Sequence, residues 1–570
     1  MKAFYRLLIT LLALIMVLTS VSSCSLLLRL PSSSTENGQG TLSSTQTPAT
    51  TEPPEEVWEE IVLDGNASWL HFDLNDDDEE AFYTALDQCL ELMKNNAADS
   101  EIEAAVENME ELFFHIATQA QIAYIFYSMN GKGKGTSDCY LYSSTMQSDA
   151  YDAYMKMCQK VDASDYAYRD TFFSDWSESE IAEMRLYSDE MNEITKENDE
   201  LLVEYRDALE LENTTAMENK VRELYQKVVE NNNKLATGSG HKNYAEYAYS
   251  EVYLRDYSLE DMKDMRGFVK QYLVPLCKDA YNRFQSNYQS LPSDQQSLLV
   301  SLLYAEHDTR YPQLMKNYFA SLPESMGNGM MELFNTDHAV FAMSYDSYEG
   351  AFTTYLYEYE HPICFFGPGY KSAPTVAHEA GHYYAYLYAD GGNIPMDLAE
   401  VHSQGNEWLF AIYLEDVLNN EAFHQVYLDY QLYYNISSII LCTIIDEFEQ
   451  SIYENPELAD PSKIDAQMTL ICEGYGGEKF VDDFLADVSM YWKHVVVENP
   501  MYYISYAMSG LVALEIYCLA EEDYANAVET YRKLTEEADL DAGFTTILKG
   551  VGLRSPFDES LYQSLVALMK

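Results

Sequence analysis

The chain has 570 residues, more than one small domain needs, and its 94 Asp plus Glu against 34 Lys plus Arg give a formal charge of -60. That balance argues against nucleic acid as a partner, because holding phosphates takes a basic face. A hydrophobic share of 47% with 49 Tyr is too rich for a disordered acidic chain, so a folded, very acidic body is expected.

Met1 to Ser23 pairs two basic residues, Lys2 and Arg6, with an apolar run from Leu7 to Leu18 and then small residues, the pattern of a secretory signal peptide. The run of about 12 residues falls short of the ~20 that a membrane-spanning helix requires. Val21-Ser22-Ser23-Cys24 looks like a bacterial lipobox, which makes Cys24 the lipidated first residue of an exported chain anchored at the outer face of the bacterial cytoplasmic membrane. Residues 24–55 then form the anchor and a tether, since Pro31 to Pro54 is rich in Ser, Thr, Gly and Pro without a hydrophobic period. The later cysteines are widely spaced and several sit in apolar runs, so buried free thiols are expected even though export permits disulfides.

From residue 56 onward the pattern is mostly helical. Apolar residues at three and four spacing run from about Glu79 to Asn95, Ser100 to Tyr127, Asp138 to Lys160 and Glu178 to Ala236. Helical hairpins are the simplest packing for such a series. The acidic run Asp76 to Glu80 stands where a helix begins and its dipole favours carboxylates. Gly131-Lys132-Gly133-Lys134-Gly135 lacks a preceding strand and the GxxxxGK[ST] spacing, so a tight helix connection is predicted there, not a phosphate loop. The Thr-Gly-Ser-Gly turn ending at Gly240 places a boundary between an N-terminal helical region, 56–237, and a second region, 238–570. Gly350 to Glu360 is rich in β-branched and aromatic residues, and His361-Pro362 separates it from a short run, Ile363 to Phe366, which predicts two adjoining strands.

Pro374 to Tyr384 contains His378-Glu379-Ala380-Gly381-His382. Residues four apart on a helix lie one above the other, about 6 Å apart along the axis, so two imidazoles can grip one metal. Glu379 lies roughly 80° from their mean direction, where its carboxylate can reach a metal-held water without being a ligand. A catalytic zinc keeps three protein ligands and an open position. Asn393-Ile394-Pro395 permits a turn into a helix from about Met396, on which Glu400 and His402 compete for the third place; they lie about 200° apart, so only one faces the site. Glu407 returns to the face of Glu400 and can accept a hydrogen bond from a ligand imidazole.

Phe365 through Glu407 resembles the zinc core of the oligoendopeptidase F and thimet oligopeptidase family, in which HExGH is followed by a helix reading roughly E-V-x-S-x-x-N-E; here Glu400-Val401-His402-Ser403-Gln404-Gly405-Asn406-Glu407 matches it. The resemblance implies His378, His382 and Glu400 as ligands of one Zn2+ per chain and Glu379 as general base. A second stretch is similar to the family's His and tyrosine-rich loop: His494, then nine residues later Tyr503, with Tyr506 completing a YxxY pair. By that likeness His494 and Tyr506 donate hydrogen bonds to the developing oxyanion, and Tyr503 and Tyr506 hold the substrate. The likeness covers roughly Gly238 to Gly510 and is weaker in the N-terminal helices. It implies a mostly α, two-lobed helical metallopeptidase with a deep central channel and a small β-sheet beside the zinc helix.

The expected activity is zinc-dependent hydrolysis of internal bonds in short unfolded peptides outside the cytoplasmic membrane. The strand edge at Cys364, Phe365 and Phe366 is expected to bind the peptide by adding a strand. A monomer is expected, with short peptides as the partners. Two alternatives remain: a helical zinc carboxypeptidase or dipeptidase with the same ligands, and a peptide-capturing lipoprotein that does not hydrolyse. An intact HExxH argues against the latter, because a pure binder needs no general base.

Overall fold

The computed structural model describes residues 67–568, apart from 130–133, 305–310, 336–337, 343–346, 369–371, 390–393, 477–495 and the single positions 68, 175, 177, 187, 210, 212, 349, 419, 498 and 541. The signal peptide, Cys24 and its tether, the Gly131–Gly133 stretch and His494 lie outside the described residues. The described residues are 77% helical, with one small sheet among them. Its contacts divide it into two compact units, 67–177 with 333–371, and 178–332 with 372–568.

In the first unit, the acidic run opens helix α1 (Asp76–Lys94), whose N-cap Asn75 accepts from the Asp77 amide and donates its own amide to the Asp78 carboxylate, each at 2.9 Å. This reciprocal cap satisfies two otherwise orphaned amides. α1 packs with α2 (Asp99–Met129) and α3 (Lys134–Asp162). Phe82, Leu86 and Met93 of α1 are buried, as are Met109, Phe113 and Ile116 of α2, at the spacing their sequence shows.

Three strands complete this unit: β1 (Ala339–Phe341), β2 (Ala351–Leu356) and β3 (His361–Phe366), in the order β1-β3-β2. Glu360, at φ 49°, turns β2 back into β3. Thr354 donates to Gln121 at 2.9 Å and Thr118 accepts from the Glu358 amide at 2.8 Å, which pins β2 and its turn to α2.

The sheet corrects one expectation. β3 is the central strand: Cys364, Phe365 and Phe366 pair with Ala339, Val340 and Phe341 on one side and with Thr353, Phe352 and Ala351 on the other. Their backbone groups are engaged on both edges and their side chains are at most 1% exposed. Strand addition at Cys364, Phe365 and Phe366 is therefore unavailable, because a peptide needs an edge with unpaired amides and carbonyls. β1 is three residues long and parallel to β3, too short for a period in the sequence to announce it.

In the second unit, Glu178 to Ala236 resolves into Glu178–Leu186, α4 (Asp189–Leu209) and α5 (Thr214–Gly238), the last two packed as a hairpin. Further along come α6 (Val274–Ser290), α7 (Ala373–Tyr386), α8 (Met396–Leu418), α9 (Glu421–Glu454), α10 (Ile504–Glu522) and α11 (Tyr524–Glu536). α10 is apolar and long enough to cross a membrane, yet it is nearly all buried against α8 and α9, as a core helix is. α8 runs between α7 and α10, so its two faces meet the HExxH helix and the helix of Tyr506. All eight described cysteines are buried and free of disulfides.

Candidate metal centre

α7 begins at the N-cap Ser372, whose hydroxyl accepts from the Thr375 amide at 3.3 Å, and Pro374 occupies its first turn, where no amide is lost. His378 and His382 then lie on one face, edge to face, with ring centroids 5.0 Å apart. α8 crosses close to this point because position 381 is a glycine. A Cβ there would come within 2.3 Å of the His402 carbonyl oxygen and 2.8 Å of Ser403 Cα. Asn406 fastens the crossing, donating to the Ala377 carbonyl at 2.6 Å while accepting from the Tyr318 hydroxyl at 2.7 Å.

The crossing settles which residue of α8 faces the histidines. Glu400 Oε2 lies 3.5 Å from His378 Nε2 and 3.6 Å from His382 Nε2, and the three donor atoms lie within 4.8 Å of one another. His402 is 2% exposed on the other side of α8, where burial pushes its imidazole down to about 4. Ser403 donates to Glu400 Oε2 at 2.8 Å and holds the carboxylate. The Nδ1–H of His378 donates to Glu407 at 2.6 Å, which leaves Nε2 directed at Glu400. Glu379 is 2% exposed on α7 beside this group.

These donors fit a zinc ion. Bonds of 2.0–2.1 Å in a tetrahedron set ligand atoms about 3.3 Å apart, close to the two N···O separations and longer than a good hydrogen bond. Two imidazole nitrogens and one carboxylate oxygen form a three-ligand set that leaves a fourth place open.

The charges point the same way. Burial opposes the His378 imidazolium, but the Glu407 hydrogen bond and the fields of Glu407, Glu400 and Glu379 outweigh it and lift the group to about 10. His382 is pushed well down, first by burial and then by His378 and His402. Burial raises Glu400 against the pull of His378 and Ser403. The pocket thus favours one positive charge among its carboxylates.

Tyr503 and Tyr506 are 1% and 5% exposed at the start of α10, and the Tyr502 hydroxyl donates to that of Tyr506 at 3.3 Å. Sequence reasoning missed three contributors. Tyr386, four residues past His382 on the same face, has its phenol raised by burial and then by Glu400 and Glu379. The i,i+4 spacing was the signal that would have found it. Asn406 and Ser403 lie within the quoted motif but carry no role readable from spacing alone.

No family model matches this sequence, and no curated protein matches it. Solved structures do. Pz peptidase A bound to an inhibitor superposes with a TM-score of 0.67 at 18% identity, covering 88% of this chain and 97% of that one. Oligoendopeptidase F of Enterococcus faecium gives 0.55 at 12% identity, covering 87% and 96%. Metallocarboxypeptidase 1 of Trypanosoma cruzi gives 0.54 at 12% identity, covering 80% and 97%. Over nearly the full length of these proteins, the chain has the mostly α fold of the oligoendopeptidase F peptidases.

Proposed function

We propose that the protein is a zinc metallopeptidase of the oligoendopeptidase type, cleaving internal bonds of short unfolded peptides outside the cytoplasmic membrane, where Cys24 anchors it by a lipid. The observation that carries this reading is the convergence of His378 Nε2, His382 Nε2 and Glu400 Oε2 beside the buried Glu379. The fold shared with Pz peptidase A and oligoendopeptidase F supports it.

His378, His382 and Glu400 would hold the zinc, which when bound supplies Lewis acidity toward the scissile carbonyl and makes water a better nucleophile. Glu379 accepts the proton of the attacking water as its oxygen bonds to the carbonyl carbon, then passes that proton to the departing nitrogen as the C–N bond breaks. Tyr506 and His494 donate to the oxyanion, and Tyr503 helps to hold the peptide. Glu407 keeps the His378 ring oriented with Nε2 toward the metal.

Metal content of the purified protein, measured with cleavage of an internally quenched peptide before and after chelation, tests the reading. One zinc per chain and loss of cleavage on chelation, restored by zinc, are expected; metal-independent cleavage or no cleavage overturns it. The shared fold with a metallocarboxypeptidase makes product analysis part of the test. Release of only the last one or two residues would replace the endopeptidase reading with a carboxypeptidase.

A further inference from the structure

The segment 500–506 leads into α10 and carries Tyr503 and Tyr506. Two segments distant in the sequence, residues 253–255 and α9, hold its backbone polar groups. The Pro500 carbonyl accepts from the Tyr253 hydroxyl at 2.9 Å, and the Met501 amide donates to Glu449 of α9 at 2.9 Å. The Met501 carbonyl accepts from Arg255 Nη2 at 3.1 Å. Met501 sits at φ 64°, a left-handed conformation that a non-glycine residue keeps only when its surroundings impose it. Here both of its backbone groups are held.

Ser505 links this segment to α8. Its hydroxyl accepts from Arg255 Nη2 at 3.0 Å and donates to Asp397 Oδ1 at 2.6 Å. Asp397 lies one helical turn before Glu400. Its other oxygen accepts from the Tyr257 hydroxyl at 2.8 Å, and its carbonyl accepts from Ser509 of α10 at 2.5 Å. Arg255 has no exposed side-chain surface, and its guanidinium lies between the rings of Tyr249 and Tyr253, 4.4 and 4.5 Å from their centroids. Its Nε is 3.5 Å from Asp397 Oδ1.

An apolar contact would hold α10 to α8 with comparable energy but little angular preference, whereas these hydrogen bonds fix direction as well as distance. The joint connects the residue before Tyr506 to the helical turn before Glu400. We propose that Arg255 and Asp397, acting through Ser505, are positioning residues that set the Tyr503–Tyr506 pair in register with the metal ligand Glu400. The inference rests on the peptidase reading above, and neither residue touches substrate in it.

Two variants of the zinc-loaded protein test it, with kcat, KM, zinc content and amide exchange over residues 501–506 measured for each. Ser505→Ala removes the link while leaving Arg255 and Asp397 their other partners, and Asp397→Asn removes the carboxylate charge. Both are expected to keep one zinc per chain, to lose about 10- to 100-fold in kcat through misplacement of Tyr506 with a smaller rise in KM through Tyr503, and to exchange faster at 501–506. Unchanged kcat, a change confined to KM, or unchanged exchange in Ser505→Ala overturns the proposal, and that variant decides if Asp397→Asn does not fold. An inactive zinc-loaded wild-type protein would overturn the peptidase reading and the positioning role with it. An active wild type with unaffected variants would overturn the positioning role alone.

Discussion

The role proposed for Glu379 rests on an offset of one residue from His378. At about 100° per residue the helix turns its carboxylate to the flank of the two imidazoles, close enough to handle a proton and off the line of ligation. Glu379→Gln keeps the shape and removes the base. Zinc content should be unchanged while kcat falls by roughly 10²- to 10⁴-fold, read by steady-state kinetics beside metal analysis; wild-type turnover in a zinc-loaded variant would refute the proton-transfer role. The HExxH pair was legible in the sequence because its geometry is internal to one helix. The choice between Glu400 and His402 was not, since it depends on which face of α8 the partner helix covers. Both are buried, and only Glu400 meets the histidines.

Between elements, the decisive feature is the closeness of α7 and α8 at Gly381. Because the obstructing atoms at 2.3 and 2.8 Å belong to backbone, a methyl group there cannot be accommodated by rotating a side chain. Gly381→Ala should cost about 1–3 kcal/mol as an overpacked contact and weaken zinc binding by moving Glu400 away from the histidines. Thermal unfolding with a zinc titration checks this, and wild-type values for both would show that the crossing tolerates side-chain bulk. The sheet gives the converse lesson. Ile363 to Phe366 read correctly as a strand, but its place in the middle of three was hidden, because parallel pairing with Ala339–Phe341 is a long-range contact of a very short partner.

Across the whole molecule, the thiols and phenols of this tyrosine-rich chain bear on its stability at high pH. Burial pushes Cys89, Cys139, Cys277 and Cys518 up to about 12 and Cys472 to about 11, and it raises Tyr225, Tyr244, Tyr249, Tyr318 and Tyr453 well above the usual phenol. The folded state therefore keeps protons that the unfolded chain releases from about pH 8.5 for thiols and 10 for phenols. Their contribution is complete below those values and is lost as pH rises toward the folded ones. The unfolding midpoint should fall steadily above about pH 9, and a thiol reagent at pH 8 should label these cysteines only after denaturation. A midpoint that holds to pH 11, or rapid native labelling, would contradict this.

What the sequence by itself determined is what short-range geometry controls: the helical periods, the acidic start of α1, the i,i+4 histidines and the candidates on the following helix. Only the tertiary structure decided that Glu400 is the converging donor and that β3 is internal. It also brought Arg255, Asp397 and Ser505 together from positions more than a hundred residues apart. Those outcomes depend on which surfaces pack against one another, and a helix or strand period states which face is apolar without naming the face it will meet.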